Sequence, residues 1–256
     1  MGLRELLGLS RASSNTRDEG RPPSGNGASS FHLFWQMPSH APLCEVSATF
    51  ELLDEPAQDR LYFWALQAGF ADAGGAAHGG AHFGFQWHPQ YPDKRAVCWG
   101  GYANVGGELD GGPTTFPSID GNANVCAYRW TTGQRWTWRI RRIGDEGGVW
   151  RAELDDPNTG QTLPIRDLWC RGDRLVDPMV WSEVFAHCDD QSVRVRWSDF
   201  AARTATESVV PFAVSVNYQS YADGGCTNTN SFVDDIGFVQ ATNTGRVTEQ
   251  GSTLTR

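Results

Sequence analysis

Three closely spaced aromatic runs between residues 61 and 102 constrain the fold more than any other feature of the chain. In the middle run, aromatic residues at positions 83, 85 and 87 alternate with polar or small residues, which are His82, Gly84, Gln86 and His88. Because successive side chains of a strand point to opposite faces, this run predicts a strand with one buried aromatic face and one polar face. We expect any ligand to lie on the polar face.

The rest of the chain favours strands over helices. It has 256 residues, with 11 Trp and 13 Phe to fill a core and 29 Gly and 13 Pro to form turns. No sustained helical stripe follows the first ten residues, whereas residues 136–141 and 149–154 alternate on either side of a Gly-rich turn at 144–148 and predict a hairpin. We therefore predict an all-β fold, an antiparallel two-sheet β-sandwich of the jelly-roll type with roughly a dozen strands.

Composition divides the chain into three parts. Residues 10–30 are rich in Ser, Asn, Gly, Pro and Arg and lack an apolar period, so residues 1–30 are expected to form a flexible arm. Residues 31–242 are assigned to the sandwich domain, and residues 243–256 to a polar tail that frays.

The charge and the N-terminal segment restrict the partners. A net charge of -9 is unsuited to general nucleic-acid binding, which needs a basic surface. No apolar run is long enough to span a bilayer. The first residues lack the features of a signal peptide, so we expect a cytoplasmic protein whose six cysteines are mostly reduced. The oligomeric state is left open by the sequence.

The strand pattern, the Trp-rich hairpin and the long Gly/Pro loops together resemble the concanavalin A-like jelly-roll superfamily of lectins and glucanases. The chain is also similar to a group of uncharacterised actinobacterial proteins that carry the phrases Gly84-Phe85-Gln86-Trp87 and Gly224-Gly225-Cys226-Thr227-Asn228-Thr229. The first resemblance implies a sandwich over residues 31–242, and the second implies no activity.

Two enzyme motifs of the superfamily bear on whether this chain is a catalyst. The E-x-D-x-x-E run of laminarinase-type glucanases, whose carboxylates flank the scissile bond, is absent. Jelly-roll alginate lyases carry R-x-E-L, Q-x-H and Y-x-N-Q-like strands, and this chain has similar phrases at 151–154, 86–88 and 217–219. The first two occur here in the reverse of the order of that family. A lyase that uses them therefore requires the fold to bring the three phrases together.

Several polar residues are candidates for a ligand site. We predict ligand binding by His82, Gln86, His88 and Gln67, because amides and imidazoles hydrogen-bond the hydroxyl groups of sugars. If the protein is an enzyme, the predicted acid/base set is Gln86, His88, Glu183 and His187, with the last two on one face of a strand over residues 179–188. The alternative for that strand is that its aromatic residues face the core and Glu183 pairs with an arginine.

Three further groups have plainer explanations. The arginines at 139, 141, 194 and 196 suit anion binding, but we favour a solvated sheet face with carboxylate partners. Asp223, Asp234 and Asp235 lie in polar loops that could hold calcium, although such residues are also common in turns. His78, His82 and His88 do not have the helical spacing of a zinc site. We predict no metal site and no cofactor, with calcium as the open alternative.

The leading functional hypothesis is non-catalytic binding of a carbohydrate or another polar ligand on one sheet face. A polysaccharide lyase or glycoside hydrolase is the enzymatic alternative. A structural or assembly module, which would dock through the faces or edges of the sheets, is the third.

Overall fold

The sandwich predicted from the sequence is present in the structure. A computed structural model describes residues 27–38, 41–144 and 148–256, and the strand pairings that it contains are antiparallel. The strands form one nine-stranded and one eight-stranded sheet, so the fold is an all-β two-sheet sandwich. The flexible arm was predicted over residues 1–30, of which residues 1–26 lie outside the described part.

Nine strands make up the first sheet. In spatial order they are β17 (Thr253–Leu254), β14 (Ala213–Tyr218), β1 (Ser29–Gln36), β11 (Arg174–Val184), β3 (Tyr62–Ala71), β4 (Ala77–Trp87), β5 (Arg95–Ala103), β7 (Asn122–Ala127) and β6 (Ser118–Ile119).

The second sheet has eight strands. In order they are β10 (Thr162–Trp169), β9 (Val149–Asp155), β8 (Arg135–Arg142), β2 (Glu45–Leu52), β12 (Arg194–Arg203), β16 (Phe238–Ala241) and β15 (Asn230–Val233), and β13 (Ser208–Val209) also pairs with β12. Strands β8 and β9 confirm the predicted hairpin, although residues 145–147 of its turn lie outside the described part. The described residues form 17 strands. Twelve of these have six residues or more, which matches the predicted dozen, and the other five are short.

Aromatic side chains from both sheets form the core. Phe50 of β2 lies 4.6 Å from Trp138 and 5.1 Å from Trp197 between ring centroids, within its own sheet. It also lies 5.7 Å from Trp64 and 5.9 Å from Phe85 of the opposite sheet. Such offset and edge-to-face pairs add to the free energy gained by burying the rings. The prediction that the aromatic face of the 82–88 run is buried is confirmed.

The two ends of the described chain differ from expectation. Strand β1 begins at Ser29, because residues 29–30 pair with Val184 and Glu183 of β11. The C-terminal tail, expected to fray, returns to the first sheet, where Thr253–Leu254 pairs with β14. Two residues of a strand are too few to give an alternating pattern, so this contact has no sequence signature.

The cysteines only partly follow the prediction of reduced thiols. Cys188 and Cys226 form a disulfide, with Cα atoms 5.5 Å apart, between the loop after β11 and the segment before β15. Cys44, Cys98, Cys126 and Cys170 are free. For the bonded pair our expectation was wrong, because the fold brings together residues 38 positions apart in sequence. The cytoplasmic location stays a prediction, and the disulfide is a reason to test it.

Candidate functional site

The outer face of the nine-stranded sheet carries the polar side chains of the 82–88 run. Register pairing places Gln67 of β3 beside His82 of β4, and His82 beside Gly100 of β5. Four residues along β4, Gln86 lies beside Phe63 of β3. The residues that alternate with these along each strand, such as Leu66, Phe83 and Phe85, fill the core. The side chains of Gln67, His82 and Gln86 therefore face away from the core.

A cleft of about 160 Å³ lies on this outer face, and we call it the central cleft. Its lining includes Phe63, His82, Gln86, Tyr102, Glu108 and Asn124. Gly100 forms part of the floor, and a Cβ atom there would lie 2.8 Å from Cγ of Asn124. The cleft therefore depends on a residue without a side chain at this point.

Gln86 is the most constrained polar group in the central cleft. Its side chain is 7% exposed, and its Oε1 accepts a 3.0 Å hydrogen bond from the hydroxyl of Tyr91. Tyr91 immediately precedes the 3-10 turn Pro92–Lys94, and its ring lies 5.0 Å from that of His88. With the oxygen held, the amide nitrogen of Gln86 is the group left to donate to a ligand.

Gln67 is held in a similar way at the next strand. Trp181 of β11 donates from Nε1 to Oε1 of Gln67 at 2.9 Å. Because an indole nitrogen only donates, this contact identifies the oxygen of the amide and leaves its nitrogen as a donor. Gln67 pairs in register with His82, but it is not part of the lining of the central cleft.

The imidazoles of this face are uncharged near neutral pH. Burial lowers the pKa of His82 from 6.5 to about 4, and its ring lies edge-on to Phe63 at 5.4 Å and to Trp181 at 5.8 Å. Burial also lowers the pKa of His32 to about 4, against the opposing effect of a hydrogen bond with Asn217. A neutral imidazole offers one donor and one acceptor, which suits hydroxyl groups better than anions.

One side of the central cleft carries a carboxylate that is not among the residues predicted from the sequence. Asn124 donates from Nδ2 to Oε2 of Glu108 at 2.9 Å, and Nη1 of the buried Arg166 donates to Oδ1 of Asn124 at 3.0 Å. These residues come from a loop, from β7 and from β10, whereas alternation relates residues only within a single strand. No local pattern would have identified Glu108, Asn124 or Tyr91.

The predicted acid/base set is only partly assembled. Glu183 lies in one row across the sheet with Phe63 and Gln86, and Ser30 donates to its Oε1 at 3.4 Å. His187 lies beyond the end of β11 at Val184 and does not line the central cleft, and its backbone N–H donates to Oδ2 of Asp190 at 2.8 Å. The predicted strand over residues 179–188 was therefore too long.

His88 also lies beyond the end of its strand, which stops at Trp87. Its backbone N–H donates to the carbonyl of Lys94 at 3.0 Å, and its Nδ1 accepts from the backbone N–H of Gln90 at 3.2 Å. His88 therefore supports the turn that positions Tyr91 and does not line the central cleft.

The lyase-like phrases do not converge. Arg151 forms a bidentate ion pair with Asp167, and Glu153 contacts arginines, both on the outer face of the eight-stranded sheet. Gln86 and Asn217 lie on the outer face of the other sheet, where Asn217 pairs in register with His32. The whole core separates Arg151 from Gln86, so the three motif matches do not form one site.

The four arginines follow the plainer explanation. Arg139 lies 3.1 Å from Asp155, Arg141 contacts Glu153, Arg194 lies 2.6 Å from Asp54, and Arg196 lies 2.7 Å from both Glu51 and Asp234. These pairs leave little of the guanidinium groups for an anionic ligand.

Most of the residues considered for calcium or zinc have other partners. Asp234 binds Arg196 and accepts from the backbone N–H groups of Ile236 and Gly237, and Asp223 accepts from the hydroxyl of Ser220. His78 contacts Asp72 at 3.0 Å. In the described ranges, no group of three or more His, Cys, Asp or Glu residues has a geometry that could hold a metal ion. No helix in those ranges is long and apolar enough to cross a membrane.

Fold and face together describe a β-sandwich with a polar cleft on one outer sheet face. No protein-family model and no curated protein matches the chain, so the concanavalin A-like resemblance stays a prediction. Among solved structures, a complex of Scytalido-glutamic peptidase with a peptide-based transition state analog has a TM-score of 0.46 and 12% identity, covering 84% of this chain and 98% of that chain.

Two further solved structures are similar at the same level. SCP-B, a member of the Eqolisin family of peptidases in a complex with a tripeptide, has a TM-score of 0.45 and 12% identity, covering 84% of this chain and 98% of that chain. The alginate lyase Aly36B has a TM-score of 0.34 and 12% identity, covering 70% and 82%. All three similarities are distant.

Proposed function

We propose that the protein binds a carbohydrate or a similar polar ligand in the central cleft, without converting it chemically. The observation that supports this most is the state of Gln86, a nearly buried amide whose oxygen is held by Tyr91 and whose nitrogen is left as a donor. A polar group fixed in this way is organised before the ligand arrives, which lowers the entropic cost of binding.

The surrounding groups support a ligand rich in hydroxyl groups. His82 adds a neutral imidazole, Asn124 and Glu108 add an amide and a carboxylate, and Phe63 and Tyr102 add aromatic surface. Ligand sites commonly combine aromatic walls with a few polar groups in this way. The low pKa values of the imidazoles support recognition over proton transfer, since general acids and bases work best with pKa values near the working pH.

Cleavage of the bound ligand by a lyase or hydrolase is the second candidate, and it is favoured by the row that joins Glu183 to Gln86. The spacing of carboxylates argues against a two-carboxylate hydrolase. Glu183 lies on β11, whereas Glu108 bridges to Tyr102 on the side of β5 away from β4, so the two residues are four strand spacings, or about 19 Å, apart. Glycoside hydrolases place their two carboxylates about 5 to 10 Å apart.

Binding would be tested with a glycan array, followed by calorimetry on the glycans retained. We expect Gln86→Ala to weaken binding at least tenfold, because the ligand loses a fixed hydrogen bond and the Tyr91 hydroxyl loses its partner. Gln90→Ala is the matched control, since Gln90 is exposed and lies outside the central cleft. Its affinity should equal that of the unaltered protein.

The same preparations would separate binding from catalysis. Incubation with each retained glycan, followed by mass spectrometry and absorbance at the wavelength of unsaturated uronates, should show no product. A product that disappears in Glu183→Gln would replace the binding proposal with the enzymatic one. Equal affinity of Gln86→Ala and the unaltered protein would contradict the proposed site.

A further inference from the structure

A second and larger cleft adjoins the central cleft. It has a volume of about 510 Å³ and lies between the loop that follows β5 and the segment that follows β10. We call it the Trp169 cleft, and its polar and aromatic lining includes His78, Asn104, Glu108, Asp110, Trp169 and Arg171. Glu108 lines both clefts, so the two adjoin each other at this residue.

Trp169 gives this cleft an exposed aromatic surface. Its side chain is 54% exposed, whereas most tryptophans of the chain are buried in the core. Tyr102, which lines the central cleft, is 58% exposed, so the two clefts each carry one exposed aromatic ring. An exposed ring of this size leaves apolar area in water unless a partner covers it.

The backbone around Trp169 is fixed. Its N–H donates to the carbonyl of Asp110 at 2.8 Å, and Gly111 forms a bridge with Leu168. On the opposite side of the cleft, Asn104 donates from Nδ2 to the carbonyl of Ala77 at 2.7 Å. Both walls are therefore tied to strands of the sandwich, and the cleft is organised without a ligand.

Charge restricts what this cleft can accept. Glu108 and Asp110 supply two carboxylates, Arg171 is the one arginine of the lining, and the whole chain carries a net charge of -9. A polyanion would meet like charges at the point where the clefts join. A neutral chain of sugar units would meet hydrogen-bond acceptors for its hydroxyl groups and an aromatic ring for its apolar faces.

We propose that the ligand is a neutral oligosaccharide that extends from the central cleft across Glu108 to stack on Trp169. This inference rests on the proposed function and adds the length and the charge of the ligand. Short glycans would occupy the central cleft alone, and longer ones would also reach the ring of Trp169.

The test uses the full chain and an array of neutral oligosaccharides (glucans, mannans, xylans and galactans of two to six units) together with oligouronates of the same lengths. Calorimetry then follows on the neutral series with the highest affinity. We expect affinity to rise with length and Trp169→Ala to lower it about tenfold for the longest glycans while leaving disaccharide binding unchanged. Trp169→Phe should retain part of the gain.

Phe212→Ala is the matched control, because Phe212 is 59% exposed and lines a different cavity. It should leave every affinity unchanged. If Gln86→Ala weakens the binding of all lengths but Trp169→Ala weakens none, the extended site is wrong and the central cleft stands. Preferred binding of oligouronates would overturn the charge argument. If the unaltered protein retains no glycan, both proposals fail.

Discussion

The two outer faces of the sandwich are built by the same strand alternation but are filled with different chemistry. On the eight-stranded sheet, arginines alternate with core residues and meet carboxylates, as Arg139 does with Asp155 and Arg141 with Glu153. On the nine-stranded sheet, the same positions hold amides and neutral imidazoles, of which Gln86 and His82 line a cleft. One face satisfies its polar groups internally, and on the other we propose that the amide nitrogen of Gln86 donates to a ligand.

Among the single substitutions, the largest expected effect on stability comes from Glu153, the buried centre of the ion-paired outer face of the eight-stranded sheet. Glu153 is 6% exposed and contacts both Arg139 and Arg141. We expect Glu153→Ala to lower the free energy of unfolding by about 2 kcal/mol, less than for a fully buried pair because both arginines are partly exposed. Urea denaturation would measure this change.

The matched substitution on the other face is Gln86→Ala. It removes a single neutral hydrogen bond, so the free energy of unfolding should fall by about 1 kcal/mol or less. The effects on ligand affinity should be reversed: Gln86→Ala should weaken binding, and Glu153→Ala should leave the affinity unchanged. If Gln86→Ala destabilises the protein more than Glu153→Ala does, the division between a structural and a binding face is wrong.

The dependence of stability on pH should also separate the two faces. The pKa of His82 is about 4 in the folded chain and 6.5 in the unfolded chain, so only the unfolded imidazole takes up a proton between these values. The contribution of the neutral His82 side chain to the free energy of unfolding is therefore fully present above about pH 6.5. It falls as the pH drops towards 4, by about 1 kcal/mol per pH unit. His32 acts in the same direction.

On the other face, the hydrogen bond from Arg194 lowers the pKa of Asp54 below its ordinary value of 3.8. Its contribution is present above pH 3.8 and is lost only as the pH falls through the lowered pKa. Denaturation at a series of pH values should therefore show a first loss between pH 6.5 and 4 that is smaller in His82→Gln. An unchanged slope in that variant would contradict the assignment.

Much of the fold could be predicted from the sequence because each strand of a sandwich has one buried face and so shows a local alternation of apolar and polar residues. The aromatic face of residues 83–87, the 136–154 hairpin and the arginine-bearing face each follow from side chains that point alternately to the two sides of a strand. The end of β11 at Val184 could not be predicted, because Phe185 and His187 continue the same alternation after the pairing stops.

The candidate site could be predicted only as far as it lies on one strand. His82 and Gln86 are predicted by the alternation of β4, and Gln67 is predicted because it lies opposite the aromatic residues of its own strand, β3. Tyr91, Glu108 and Trp169 come from a turn, a loop and a strand end, and their approach depends on pairings between distant segments. The disulfide between Cys188 and Cys226 depends on distant contacts in the same way.

The smallest expected effect on the free energy of unfolding tests whether the burial of an ion pair or its mere presence stabilises the ion-paired face. Arg135 lies on the same face of β8 as Arg139, and it pairs with Asp199 at 2.6 Å, but both side chains are about half exposed. Because water screens such a pair, we expect Arg135→Gln to change the free energy of unfolding by less than about 0.5 kcal/mol. Arg139→Gln is the matched control and should cost more, since Arg139 contacts three carboxylates and is mostly buried. Equal losses in urea denaturation would show that the number of charged pairs, and not their burial, determines the stability of this face.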